Sequence, residues 1–188
     1  MQRPVPPLVA ELEDRARRDG VATIDRSLGR LLSTLVHGMQ ANRIVEVGTG
    51  YGYATLWMSS ALPPAGKIWT IDPAIERTRV AEEYLGRSGL AQRVEIVNSP
   101  ALDILPHFPL RNLDIVFVDA PHAEYTAYLK DAILLLKLSG LLIFHGLEAA
   151  AGKSGDIEAF VREFLNRDDI DATVIPVGQG TGIGARVR

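Results

Sequence analysis

No cysteine occurs among the 188 residues of the sequence. This absence excludes disulfide bonds, thiolate metal sites and cysteine nucleophiles, and it is consistent with a reducing cytoplasm. Long apolar runs are also missing: none approaches the roughly 18 residues that a membrane span needs, and residues 1–20 lack the apolar core of a secretion signal. We therefore expect a cytoplasmic protein that has no membrane partner.

Neither sign of charge is concentrated in one part of the sequence. The 20 Lys and Arg residues are scattered among 23 Asp and Glu residues, and the formal net charge is −3. Because there is no basic cluster for nucleic acid or for an anionic membrane, a small and roughly neutral ligand fits better. A hydrophobic content of 47% at this length is typical of one globular domain, which we expect to span residues 1–188.

Short β-rich runs alternate with helical stretches along the sequence. These runs lie at residues 43–48, 67–72, 93–98, 113–119 and 141–145. Near-continuous apolar strands, separated by connections long enough for a crossover helix, indicate a parallel sheet that helices cover on both faces. The predicted fold class is therefore α/β, a doubly wound Rossmann-like sheet of about seven strands.

The helices between and before these strands can also be placed. Apolar residues recur at helical spacing between charged ones, which predicts helices over residues 75–89 and 123–138. Residues 1–40 precede the first strand and are predicted to form a helical cover, with Asp25 or Ser27 capping one of its helices.

The end of the sequence follows a different pattern. Two strand-like runs, residues 172–177 and 182–187, are separated only by the short glycine-rich stretch GQGT. A connection this short favours an antiparallel hairpin over another crossover helix. We therefore predict that the last strand runs opposite to the others.

The stretch VEVGTGYGYA, residues 45–54, leaves the first strand and enters a helix. It places three glycines where the backbone must turn sharply and approach a ligand closely. The nicotinamide fingerprint G-x-G-x-x-G is not completed, because counting from Gly48 puts Tyr53 at the last glycine and counting from Gly50 puts Thr55 there. An NAD(P)-linked oxidoreductase therefore stays only as an alternative.

Two acidic residues accompany the glycine loop. Glu46 lies two residues before Gly48, where an ammonium group could be held, and Asp72 ends the next strand. A carboxylate about 20 residues beyond such a loop can accept both hydroxyls of an adenosine ribose. Together these features predict S-adenosylmethionine as the cofactor. The alternative is that the glycines merely relieve crowding and that Asp72 caps a helix.

With these motifs the sequence resembles the small class I S-adenosylmethionine-dependent O-methyltransferases of the catechol and caffeoyl-CoA type. The resemblance is carried by residues 22–32, 44–72, 118–129 and 174–182, the last of which is similar to the closing hairpin of the family. It implies an enzyme that transfers a methyl group from S-adenosylmethionine to a hydroxyl of a small-molecule acceptor. The acceptor itself cannot be named from the sequence.

The resemblance also implies roles for individual residues around the cofactor. The methionine part would lie at the glycine loop, the ribose at the end of the second strand, the adenine after the third strand, and the sulfonium after the fourth. In that order these positions correspond to Glu46, Gly48, Thr49, Gly50 and Gly52, to Asp72 and Pro73, to Ser99, Pro100 and Ala101, and to Asp119.

The metal site of the family is not reproduced. In the family, an Asp after the fourth strand binds a divalent cation, a Lys three residues later is the base, and an Asp-Asn pair follows the fifth strand. Asp119 matches the first position, but His122 stands at the Lys and His145-Gly146 at the pair. Because Mg²⁺ prefers oxygen ligands, we predict no such metal, and a softer cation on Asp119 and His145 stays an alternative.

A histidine could replace the metal and the lysine. A phenol has a pKa near 10, and neutral imidazole, whose ordinary pKa is about 6.5, can remove its proton as the oxygen attacks. We predict that His122 is the base because it stands at the Lys position, with His145 as the alternative and Asp119 orienting the ring. A non-catalytic S-adenosylmethionine-binding protein also stays an alternative.

Assembly is a further hypothesis. Relatives of this type are often dimers, so a homodimer is expected. The segment through Arg18 is too short and too sparsely apolar to fold by itself. We expect it to pack either on a partner subunit or on the sheet of its own domain.

Overall fold

The computed structural model describes residues 6–148 and 155–188. Within these ranges, seven strands form one sheet in the order β3-β2-β1-β4-β5-β7-β6. The strands are β1 (Arg43–Val47), β2 (Lys67–Ile71), β3 (Val94–Val97), β4 (Leu113–Val118), β5 (Leu136–His145), β6 (Ile170–Ile175) and β7 (Thr181–Arg186). Strands β1 to β5 pair in parallel, and β7 is antiparallel to both β5 and β6. The predicted α/β fold and the reversed last strand are confirmed.

Helices cover both faces of this sheet. They are α1 (Pro7–Arg18), α2 (Arg26–Met39), α3 (Tyr53–Ala61), α4 (Ile75–Ser88), α5 (Ala101–Ile104), α6 (Tyr125–Leu135) and α7 (Gly155–Asn166). One apolar cluster joins α1 to α4 with one face of the sheet, and a second joins α5 to α7 with the other. Successive side chains of β1 point to opposite faces of the sheet, so Ile44 packs in the first cluster and Val45 in the second.

The boundary between α6 and β5 differs from the prediction. The predicted helix extended to residue 138 and the strand began at residue 141, whereas α6 ends at Leu135 and β5 begins at Leu136. Leu136 pairs with Leu113 of β4, and Ser139 has a left-handed φ of +61°, which no helix interior allows. The leucine-rich run around this boundary fits a helical pattern and a strand pattern equally well. The boundary between α6 and β5 is therefore set by the pairing of β5 with β4, which the sequence pattern does not show.

The helices before β1 pack on their own domain. The Asp25 side chain accepts a hydrogen bond of 2.8 Å from the backbone N–H of Leu28, so Asp25 caps α2 as predicted. Helix α1 buries Leu12 in the first apolar cluster, and its Arg15 forms a 2.7 Å ion pair with Glu83 of α4. No helix in the two described ranges is long and apolar enough to cross a membrane.

Candidate active site

A cavity of about 790 Å³ opens where the parallel strands end. Its wall includes residues 20–24, 47–51, 71–74, 100–102 and 119–121, together with His145. Most of these segments directly follow β1, β2, β3, β4 or β5, and residues 20–24 connect α1 to α2. Because the carboxyl ends of parallel strands meet at one edge of the sheet, residues far apart in sequence surround one ligand-sized space.

Gly48 fastens the glycine loop against the end of β4. Its φ is +94°, and a Cβ at this position would overlap the backbone carbonyl oxygen of Asp119. The N–H of Gly48 donates to the carbonyl of Ile71 at 2.9 Å, and the N–H of Asp119 donates to the carbonyl of Val47 at 2.8 Å. The backbone of the loop therefore contacts both neighbouring strand ends, an approach that only glycine permits.

Asp72 accepts two backbone hydrogen bonds at the end of β2. One carboxylate oxygen accepts a hydrogen bond from the N–H of Gly50, and the other accepts one from the N–H of Ala74, both at 2.8 Å. The side chain therefore joins the glycine loop to the turn before α4. Because each carboxylate oxygen can accept a second hydrogen bond, Asp72 can still bind a ligand hydroxyl on the cavity wall.

Glu46 lies beneath the loop and not on the cavity wall. Its side chain is completely buried, one oxygen accepts a 2.5 Å hydrogen bond from the hydroxyl of Thr55 on α3, and the other has no partner. Burial raises the pKa of Glu46 to about 8, and the nearby charge of Asp119 acts in the same direction. The pleat of β1 turns this side chain toward α3, so the contact of Glu46 with a ligand ammonium stays a prediction.

The buried acid predicts a dependence of stability on pH. Because the pKa of Glu46 is higher in the folded than in the unfolded protein, the folded state binds more protons, and the free energy of unfolding falls as the pH rises toward 8. The loss should approach about 1.4 kcal/mol per pH unit at most. Thermal melts of the ligand-free protein from pH 6.5 to 8.5 measure this loss of stability. The pH range lies above the lowered pKa of His122, so His122 does not titrate within it.

Glu46→Gln removes the titrating group and should flatten this slope. Glu76→Gln is the matched control, because Glu76 is exposed on the first turn of α4 and should leave the slope unchanged. An equal slope for Glu46→Gln and the unmodified protein would contradict the assignment.

Asp119 and His145 form a hydrogen-bonded pair at the cavity wall. They follow the neighbouring strands β4 and β5, and Nδ1 of His145 lies 2.8 Å from Oδ1 of Asp119. The backbone carbonyl of His145 accepts a 2.8 Å hydrogen bond from the Tyr125 hydroxyl, and a Cβ at Gly178 would lie 3.3 Å from Cδ2 of the ring. Since a carboxylate only accepts hydrogen bonds, Nδ1 donates, and in the neutral ring Nε2 is then a hydrogen-bond acceptor.

His122 lies behind this pair. It is absent from the cavity wall, its ring meets the ring of Tyr125 edge-on at 5.0 Å, and burial lowers its pKa. The sequence had suggested that Asp119 orients His122. In the structure Asp119 is paired with His145 instead. The role of His122 as the base stays a prediction, and of the two histidines only His145 lines the cavity.

Comparisons with known proteins show the family to which the chain belongs. A sequence profile described as O-methyltransferase matches residues 6–186. The chain belongs to this O-methyltransferase family. The catechol O-methyltransferase of Mycobacterium tuberculosis is 33% identical over 159 residues, which span 82% of this chain and 72% of that protein.

Solved structures share the fold of this O-methyltransferase along nearly its whole length. The O-methyltransferase TomG from Streptomyces achromogenes, involved in tomaymycin synthesis and solved in complex with S-adenosylmethionine, has 26% identity and a TM-score of 0.89, with 98% and 92% of the two chains covered. A methyltransferase from Geobacter sulfurreducens has 28% identity and a TM-score of 0.87, with 100% and 93% covered. Family membership decides against the NAD(P)-linked oxidoreductase.

The residues of this O-methyltransferase do not fit the metal site that the resemblance implied. Gly146 has a φ of +78° and no side chain, and Nε2 of His122 lies 3.0 Å from where its Cβ would be. His122 thus fills the space into which a side chain at position 146 would extend. Within residues 6–148 and 155–188, no three His, Cys, Asp or Glu residues are grouped so that they could hold a metal.

The remaining predicted cofactor residues divide into two groups. Thr49, Pro73, Pro100 and Ala101 line the cavity of this O-methyltransferase, whereas Ser99 and Gly52 do not. Gly52 precedes α3 and packs against α4, where a Cβ would lie 2.8 Å from that of Ala81. Its role in the structure is therefore close packing of the loop against α4.

Several cavity residues of this O-methyltransferase were not predicted from the sequence, and three of them carry polar side chains near the ends of β4 and β6. Glu124, Tyr128 and Gln179 all line the cavity. Tyr128 is buried, and its hydroxyl donates a hydrogen bond to Glu124. Gln179 lies in the connection between β6 and β7, which the sequence identified only as a turn.

Proposed function

We propose that this enzyme transfers a methyl group from S-adenosylmethionine to a hydroxyl of a small molecule, and that His145 receives the proton of the acceptor without the divalent metal of the family. The observation that carries the proposal is the Asp119–His145 pair, which shares one cavity with the glycine loop and Asp72. The S-adenosylmethionine complex of TomG supports the choice of cofactor.

The cofactor would be held by the wall that follows β1, β2 and β3. When bound, S-adenosylmethionine supplies an electrophilic methyl group on a positively charged sulfur. The backbone at Gly48 and Gly50 allows close approach, Asp72 offers its free acceptor positions to hydroxyls, and Pro100 and Ala101 offer an apolar surface. The negative charge of Asp119, at the same wall, favours a cation in the cavity.

His145 and Asp119 then act on the acceptor. Asp119 accepts the Nδ1–H bond and fixes the ring with Nε2 as a proton acceptor. As the acceptor oxygen becomes nucleophilic, its proton passes to Nε2, and the carboxylate of Asp119 stabilises the imidazolium that results. Positioning of the hydroxyl against the methyl donor supplies much of the remaining acceleration.

This arrangement favours a phenol as the acceptor. An imidazole base can deprotonate a phenol, whose pKa is near 10, as the oxygen attacks. An aliphatic alcohol is a far weaker acid and suits this base less well. One imidazole nitrogen serves one hydroxyl, so a second, neighbouring hydroxyl is not needed. Val21 and Ile24 add apolar surface to the cavity wall, which suits an aromatic ring.

The proposal predicts that activity survives removal of metal ions. Labelled methyl transfer from S-adenosylmethionine is measured on a panel of phenols, catechols and acyl-CoA thioesters, with and without excess chelator. We expect rates to change less than about twofold with chelator, because His145 would act as the base and the described residues contain no group of three metal ligands. Monophenols should be methylated as readily as matched catechols.

Two other results would count against the proposal. Loss of turnover with chelator and recovery with Mg²⁺ would make Asp119 and His145 metal ligands. Tight binding of S-adenosylmethionine in a calorimetric titration, combined with no turnover on any acceptor, would favour a non-catalytic binding protein.

A further inference from the structure

The proposed mechanism leaves one polar pair of the cavity wall without a role. Glu124 ends the short helical turn His122–Glu124, and Tyr128 follows four residues later on α6. The Tyr128 hydroxyl donates a hydrogen bond to Oε2 of Glu124, and both residues line the cavity. Tyr128 is only 3% exposed, so packing holds its ring and thereby holds the carboxylate.

The wall around this pair is mostly apolar, and the cavity wall also includes Arg77 of α4. It is built from residues 100–102, after β3, and from Ala120 and Pro121, after β4. Ala101, Leu105 and Tyr128 belong to the same apolar cluster, so the segment after β3 and helix α6 pack together. The result is a slot with apolar sides and a carboxylate at its border.

The position of this slot follows from the proposed function, on which this inference rests. If the glycine loop holds the methionine part and Asp72 holds the ribose, the base of the nucleoside extends away from the loop, beyond the end of β2. The wall there is the slot. A flat heterocycle fits its apolar sides, and the group that meets Glu124 must be a hydrogen-bond donor, because a carboxylate only accepts.

We propose that Glu124 recognises the exocyclic amino group of the adenine ring, and that Tyr128 is a positioning residue that holds the Glu124 carboxylate toward it. The Tyr128 hydroxyl satisfies one carboxylate oxygen, and the remaining acceptor positions face the ligand's N–H group. A 6-oxo purine presents a carbonyl at the same place, so two acceptors meet and neither is satisfied. The site thus selects for an amino group and against a carbonyl.

The test is calorimetric binding of two products to the full chain. S-adenosylhomocysteine carries adenine, and S-inosylhomocysteine carries hypoxanthine in its place. The unmodified protein should bind the adenine compound roughly 10- to 100-fold more tightly, the range for a hydrogen bond to a charged group. Glu124→Gln should reduce that ratio to about threefold or less, because a carboxamide can both donate and accept.

Two further variants complete the experiment. Tyr128→Phe should lower the ratio of the two affinities by a smaller factor, a readout that a merely structural role would not move. Asp103→Asn removes one acidic charge from α5, outside the cavity wall, and should leave the ratio unchanged.

The outcomes separate this inference from the proposed function. An unchanged ratio in Glu124→Gln, or equal affinity of the unmodified protein for both compounds, would overturn the role of Glu124 and leave the proposed function intact. Failure of the unmodified protein to bind either compound would instead overturn the proposed function and the inference with it.

Discussion

Replacing His145 by asparagine should lower turnover by about 10²–10⁴-fold, the usual contribution of a general base. The side-chain amide of asparagine can still donate a hydrogen bond to Asp119, which the Nδ1–H group makes at 2.8 Å in the unmodified protein. What asparagine lacks is a counterpart of Nε2, so the variant removes the proton acceptor and preserves the pairing. Binding of S-adenosylhomocysteine should change by less than about fivefold, because the cofactor wall is untouched.

His122→Asn is the matched comparison. His122 is close to His145 in space but is not on the cavity wall, so its loss should reduce turnover by less than about tenfold. Single-turnover rates with saturating cofactor, measured alongside cofactor affinity, distinguish chemistry from binding. A large loss in His122→Asn combined with a small one in His145→Asn would return the base to the position that the sequence first suggested.

Gly48→Ala should destabilise the protein more than any other single methyl addition in the glycine loop. The new Cβ would overlap the carbonyl of Asp119, and the φ of +94° is one that alanine adopts only with strain. Overpacking and left-handed strain together cost about 3 kcal/mol or more, which corresponds to a lowering of Tm by roughly 10 °C in a domain of this size. Asp119 would also be displaced, and activity should be lost with stability.

Gly50→Ala provides the control for that prediction. Gly50 also has a positive φ, +51°, but a Cβ there meets no atom within 4 Å. Its cost is limited to the left-handed conformation, about 1–2 kcal/mol. Thermal unfolding of the two variants should therefore differ clearly, and equal Tm values would show that the contact between Gly48 and Asp119 is not tight in solution.

The edge of the sheet where the site forms could be predicted from the sequence, because it depends on strand order alone. Asp119 and His145 each follow an apolar strand, and β4 pairs with β5 in a register that places Val118 beside Phe144. Which histidine meets Asp119 could not be predicted. That choice depends on the turn at Gly146 and on the packing of His122 over it, and side-chain directions in turns have no sequence period.

The direction of the Glu46 side chain could have been predicted from the sequence. It lies between Val45 and Val47 on a strand that is buried on both faces, so alternation alone turns it away from the face of these two valines and toward α3. The pairing of Glu124 with Tyr128 was not within reach, because four-residue spacing on a helix indicates contact without saying whether the pair faces the core or a cavity.

The place of β7 in the sheet sets an order of events during synthesis. It lies between β5 and β6, both of which leave the ribosome before it, and β6 pairs with no other strand in the described sheet. Gly178 lies next to the ring of His145, and Gln179 lines the same cavity as His145. Both residues lie in the connection that leads into β7. A nascent chain can therefore assemble the wall that follows β1 to β4 early, but the part of the cavity around His145 is completed only when β7 has been inserted.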